Sequence, residues 1–162
     1  MRMRVVLAFL AALAVASSAT AQTKIAGTQQ CKADPPAAVA IPDKPNHAFA
    51  IIKAQCSWTK PIELAGLQAK DGEDTIASEM WGDKASDRGY YVGSMSNGDK
   101  LMVKFSGDSH SMSGKPVGGE GTWSFTDGTG KLKGLKGKGT YKGSANPDGT
   151  MTYQIEGDYS LP

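Results

Sequence analysis

The sequence predicts an all-β fold, an eight-stranded antiparallel β-barrel, and three observations predict it. Apolar and polar residues alternate with period two along most of the chain, whereas the i, i+3, i+4 spacing of an amphipathic helix is almost absent. Glycine, at 20 of 162 residues, is heavy for a helical protein. The alternating runs have one wet and one dry face, and with no helix to cover the dry face they must close on themselves or pack on another sheet. About eight consecutive antiparallel strands close most economically into a barrel.

The N-terminus reads as an address. Arg2 and Arg4 form a basic n-region, the apolar run from Val5 to Val15 is too short to span a bilayer, and Ala19-Thr20-Ala21 is a small-x-small cleavage pattern. Residues 1–21 are therefore expected to be a signal peptide and residues 22–162 a single barrel domain, periplasmic or secreted, with no stable membrane span in the mature chain. The full chain carries a formal net charge of +2, and loss of Arg2 and Arg4 brings it to zero. No nucleic-acid partner is expected from that balance. The lysines of Lys131 to Lys142 and the acids of Lys70 to Asp87 read as solvated faces.

The expected strands follow in order: "AGTQQCKA" around Cys31, "HAFAIIKAQCSWTK" (47–60), "DTIASEMWGD" (74–83), "RGYYVGSMS" (88–96), "KLMVKFSG" (100–107), "GGEGTWSFT" (118–126), "GKGTYKGSA" (137–145) and "TMTYQIEGDYSL" (150–161). Asn97-Gly98 predicts a two-residue type I′ hairpin, in which both central residues take positive φ. Asn146-Pro147-Asp148-Gly149 predicts the last hairpin, with proline setting φ and glycine left-handed. Four prolines between Ala33 and Asn46 predict a long connection rather than a strand, and "GDSHSMSGKP" (107–116) predicts a polar, mobile loop.

Cys31 and Cys56 are the only cysteines, and an even pair in an exported chain reads as one disulfide. Neither has a partner at CxxC spacing, and no HExxH-like pair accompanies His47 or His110, so no metal site and no cofactor are expected.

The glycine-rich stretch "WSFTDGTGKLKGLKGKGTY" (123–141) admits two readings, a phosphate cradle and a barrel corner. A cradle needs a helix whose N-terminus faces the anion, and here period-two alternation follows instead. The corner reading takes Asp127 to Gly130 as a reversal with positive φ at Gly128 and Gly130. Leu132 and Leu135 then plug one end of the barrel, and Gly139 and Gly143 leave room for inward aromatic rings. The pattern W-x-F-x-x-G-T-G-K-[apolar]-x-G-[apolar]-x-G-x-G-x-Y resembles the glycine-rich segment of the allene oxide cyclase and dirigent-like barrels, most of all the small exported bacterial members. The resemblance implies an eight-stranded antiparallel barrel with an apolar lumen, often oligomeric. Asp127 stands where the family has the first glycine of G-G-T-G, and the family's catalytic roles map to no defined position here.

Three functions are compatible with this reading. The first is a binding module whose lumen, lined by Trp123, Tyr141, Tyr153 and Tyr159 together with Trp58 and Tyr91, takes a small apolar or aromatic ligand. The same rings could instead simply fill the barrel. The second is an isomerase- or cyclase-type enzyme using a lumen carboxylate, for which Glu79 is the candidate if its strand face looks inward; outward, it is solvated. No nucleophile-base pair adds to it, and no catalytic residue is assigned. The third is a structural or interaction protein forming a homo-oligomer, because Phe49 and Ile51 lie opposite Ala48, Ala50, Ile52, Ala54 and Cys56 on one strand, giving it two apolar faces.

Overall fold

The computed structural model describes residues 22–162, and the expected signal peptide lies outside the described residues. Ten strands form: β1 (Thr23–Ala33), β2 (Ala37–Ala40), β3 (His47–Lys60), β4 (Glu63–Leu64), β5 (Leu67–Trp81), β6 (Lys84–Met95), β7 (Lys100–Met112), β8 (Lys115–Gly128), β9 (Lys136–Ala145) and β10 (Met151–Ser160). The sheet order is β2-β3-β1-β10-β9-β8-β7-β6-β5-β4, and pairing of β3 with β5 closes it. Eight strands thus make a closed antiparallel barrel, with β2 and β4 as short additions. Closure leaves the eight strands no free edge, which removes the usual site of strand-to-strand aggregation.

Two segments expected to be irregular are not. The proline-rich connection contains β2, whose alanines and Val39 pair with Ala48 to Ile51. It continues the line of β1 along the same edge of β3, broken only where Pro35 and Pro36 have no N–H to donate. The polar stretch 107–116 is a hairpin: β7 runs to Met112, β8 starts at Lys115, and Ser113 and Gly114 both take positive φ. Polarity reflects the outward position of this hairpin rather than a lack of pairing, and two left-handed residues suit the twist of the strands.

At Asn97-Gly98 positive φ is confined to Gly98. The Gly98 N–H donates to the Met95 carbonyl at 2.9 Å, the Met95 N–H to the Asp99 carbonyl at 2.8 Å, and Asn97 Oδ1 accepts from the Asp99 N–H at 3.0 Å. The loop is therefore a type I turn followed by a left-handed glycine, one residue longer than expected. The last hairpin repeats this design, with Gly149 left-handed and its N–H donating to the Asn146 carbonyl at 3.1 Å.

One end of the barrel is plugged. A 3-10 helix, Gly130–Leu132, brings Leu132 and Leu135 inside, where they are 0% and 2% exposed, against Ile62, Leu64 and Leu67 around β4. Gly130 holds φ 55 with Asp99 pressed against it, and the Asp99 carboxylate accepts the Lys131 N–H at 2.9 Å, tying plug to hairpin. Gly128 differs from expectation: its φ is not positive, and its role is clearance, because a side chain there would strike the Leu132 carbonyl.

Alternation sets the faces as expected on β7 to β10. Trp123, Gly139 and Gly157 fall in one row across β8, β9 and β10. The Trp123 indole lies on the bare backbone of the two glycines: a Cβ built on Gly139 would sit 2.6 Å from Cζ2 of Trp123, and one on Gly157 2.5 Å from it. A Cβ on Gly139 would also strike the Glu156 carbonyl, so this position refuses even a methyl group and not only a large side chain. Gly139→Ala is expected to destabilise the fold by about 1–3 kcal/mol through overpacking. Lys138→Gln, on the exposed face beside it, should stay within about 0.5 kcal/mol. Chemical denaturation of the two variants against the parent measures both.

Candidate functional site

The inward faces enclose a cavity of about 420 Å³. It opens between Asp34 and Pro36, the β5–β6 turn and the β7–β8 turn, and its floor is Leu101, Ile62 and Phe125 above the leucine plug. Five of the six aromatic residues proposed from sequence line it: Trp58 from β3, Tyr91 from β6, Trp123 from β8, Tyr141 from β9 and Tyr153 from β10. Tyr159 does not. It lies toward the plugged end, where its hydroxyl accepts the Ala65 N–H at 3.0 Å and steadies the loop before β5.

Glycines position the rings. Tyr91 lies over Gly72 and Gly93, Tyr141 reaches across Gly107 and Gly121, and Tyr153 covers Gly143. Tyr141 meets Tyr153 edge to face with centroids 6.0 Å apart, and Phe105 likewise at 6.1 Å. Trp58 Nε1 donates to the Tyr91 hydroxyl at 3.3 Å, and Trp123 Nε1 donates to the Thr140 carbonyl at 3.1 Å. Burial pushes Tyr91 and Tyr153 up to about 12 and raises Tyr141 as well. The phenols are therefore neutral hydrogen-bonding groups across the physiological range.

Of the two faces left open for Glu79 by the sequence, the structure gives the outer one. Glu79 points outward, where its Oε1 lies 3.1 Å from His47 Nε2. His47 Nδ1 lies 2.6 Å from Asp43 and the ring stacks on Trp81 at 5.3 Å, so Glu79 is a partner in a surface cluster. The hydrogen bond that the His47 ring donates to Asp43, reinforced by Glu79, holds the His47 pKa above its ordinary value.

Asp74, one step off in parity, faces the lumen with Ile76, Ser78 and Met80. The signal was present: the even positions of this strand run Ile76, Ser78, Met80 against Thr75, Ala77, Glu79, and the apolar set carries Asp74 with it. Burial raises the Asp74 carboxyl to about 7. Its Oδ2 lies 3.2 Å from Cys56 Sγ and 4.0 Å from Cys31 Sγ.

Those sulfurs form the expected disulfide, joining a directly paired position of β1 and β3 with Cα atoms 4.1 Å apart. In the chain-entropy model its 25-residue separation corresponds to roughly 3–4 kcal/mol. Disulfide sulfurs have no proton to give, so the contact suits a protonated Asp74 that can donate to sulfur. Cys31, Cys56 and Asp74 also bring three ligand-type atoms within 4.8 Å, but both sulfurs are committed to each other. Two further polar groups line the lumen and were absent from the sequence reading. Asp87 projects inward from β6, and Gln29 of β1 is 5% exposed with no hydrogen-bond partner for its Nε2 among the described residues.

No protein-family model matches the sequence, and no curated protein does. A solved structure similar to this chain is a pterocarpan synthase dirigent protein, 14% identical over 95% of this chain and 98% of that one, with a TM-score of 0.46.

Asp74 makes stability depend on pH with a definite sign. Its folded pKa of about 7 exceeds the 3.8 of a free carboxyl, so the folded state holds a proton that the unfolded state has released. Stability is therefore expected to fall as pH rises from about 4 to about 7, and this contribution to flatten above. Asp74→Asn should remove that slope, making the variant more stable than the parent at about pH 8 and similar to it near pH 4. Thermal melts of the two proteins across that range measure the difference.

Proposed function

We propose that this is an exported binding protein that takes a small ligand with an apolar or aromatic body into the barrel lumen. One observation carries the reading: the cavity of about 420 Å³ is plugged at one end, open at the other and lined by seven aromatic side chains. That size lies within the roughly 300–1,000 Å³ of small-molecule sites. Rings that merely filled the barrel would leave no such space. Export is supported by the expected signal peptide and by the disulfide, which fits a non-reducing compartment.

A second reading is favoured by Asp74. A carboxyl that keeps its proton near neutrality inside an apolar cavity is suited to protonating a bound substrate, the chemistry of an isomerase or cyclase. In that case Asp74 takes the role that Glu79 cannot.

Naphthol, as an aromatic probe, is expected to shift the tryptophan emission and raise Tm. The gain corresponds to about 2.7 kcal/mol at a hundredfold excess over Kd. Native mass spectrometry of protein from its own host is expected to show a retained small molecule. A Tm indifferent to the probe together with a bare mass would overturn the binding reading.

The outer wall supports self-association as part of the same proposal. Val39 of β2 and Ile51 of β3 are 69% and 45% exposed on adjacent strands, with Phe49 paired to Val39, and Tyr90 of β6, 58% exposed, lies beyond β5. A patch of this kind is the usual mark of an interface. Sedimentation is expected to give an oligomer, and Ile51→Lys a folded monomer.

A further inference from the structure

The lumen is acidic, and among the described residues no cationic side chain lies within it to balance the charge. Its walls and rim carry five aspartates, Asp34, Asp74, Asp83, Asp87 and Asp108, against one lysine, Lys84. Lys84 and His110 are exposed and belong to the rim, so no cationic side chain lies among the aromatic rings. A carboxylate taken from water without a counter-charge is costly. Asp87 shares a row with Gly107, Gly121 and Tyr141, and it faces the phenol across two strands that carry no side chain between them. Ser78 of β5 is its partner on the other side, and deeper in the lumen lie the faces of Tyr91, Tyr141 and Tyr153, which attract cations through the ring quadrupole.

We propose, resting on the lumen-binding reading above, that the ligand is an organic cation: a substituted ammonium on an apolar or aromatic body, held between Asp87, Asp74 and the faces of Tyr141, Tyr153 and Tyr91. Anions such as fatty acids are refused by the same two carboxylates. The acidic rim draws cations toward the mouth. Gln29, buried and lining the cavity, has no hydrogen-bond partner for its Nε2 among the described residues and supplies one donor for an oxygen on the ligand's body.

The charge makes binding pH-dependent with a known sign. The groups facing Asp74 are Tyr91 and Asp87 of β6, Tyr141 of β9, Tyr153 of β10 and the Cys31–Cys56 disulfide of β1 and β3, with Asp71 of β5 acting on Tyr91. None is a cation. A bound ammonium is then the only counter-charge available to Asp74, so binding releases its proton, and affinity rises with pH through about 7 and levels off above.

The test compares benzyltrimethylammonium with its uncharged carbon isostere neopentylbenzene, titrated against tryptophan fluorescence. The ammonium is expected to bind at least about tenfold tighter at about pH 8.5 and to lose most of that advantage at about pH 5.5, and the two should compete for one site. Asp87→Asn should weaken the ammonium alone, and Asp74→Asn should abolish its pH dependence. Should either variant fail to fold, the isostere pair on the parent protein still decides. Neopentylbenzene binding as well as the ammonium at the higher pH would overturn the cation assignment and leave the lumen-binding reading standing. If neither probe binds at millimolar concentration, both fall together.

Discussion

An aromatic ring laid flat on glycine backbone is the contact on which this barrel depends. Trp123 on Gly139 and Gly157, Tyr141 across Gly107 and Gly121, and Tyr91 on Gly72 and Gly93 repeat it around the wall. In a small eight-stranded barrel, inward side chains of ordinary size meet at the axis and fill it. Removing the Cβ atoms beneath each ring lets the ring lie against the wall, which moves apolar bulk away from the axis. The cavity of about 420 Å³ is the volume so released. The cost is backbone entropy at every glycine, and the ring contacts, barrel closure and disulfide offset it.

The seam of β1, β3 and β5 is held differently. Cys31 pairs with Cys56 and Cys56 with Gly72, so the disulfide and the glycine bed under Tyr91 are consecutive positions of one row. Asp74 sits in the next row inward on the same strand, against sulfur on one side and Tyr91 in register on the other. Covalent closure at this point fixes the strands that place the carboxyl. Its elevated pKa follows from that fixed, water-poor position and not from a neighbouring charge.

Much of this was legible before the structure. Period-two alternation located all eight barrel strands, and β3 matches its expected limits of His47 and Lys60, because a long apolar strand bounded by prolines leaves little freedom. Leu132 and Leu135 announced the plug through their spacing. Strand ends past a turn were less visible: β7 and β8 extend through a serine-rich hairpin whose polarity argues for a loop until Ser113-Gly114 is recognised as its turn. The site was legible in its rings and not in its carboxylate. Four aromatic residues, Tyr91, Trp123, Tyr141 and Tyr153, share a strand face with glycines, and Trp58 joins them from a strand that has none. On β5 the aromatic residue Trp81 lies on the outer face, stacked on His47, so its indole drew attention to Glu79 beside it while Asp74 went unremarked. The register to β3, which decides the face, is a property of pairing across the barrel and is not written in one strand.

The same alternation that hides Asp74 explains the segregation of charge. The long cations of β7 and β9, Lys104, Lys136, Lys138 and Lys142, all occupy exposed positions, where their stems lie along the outer wall and their ammonium groups stay in water. An aspartate is short enough to sit inward without crossing the lumen, whereas a lysine there would have to thread the space between the rings. Residues 22–162, with as many bases as acids, thus become a barrel with lysines on the outer face of β7 and β9 and aspartates facing inward. The near-balance of charge in the sequence conceals this segregation. What sets it is the parity of a few aspartates relative to the glycine beds, since parity alone decides whether a charge meets water or meets the rings.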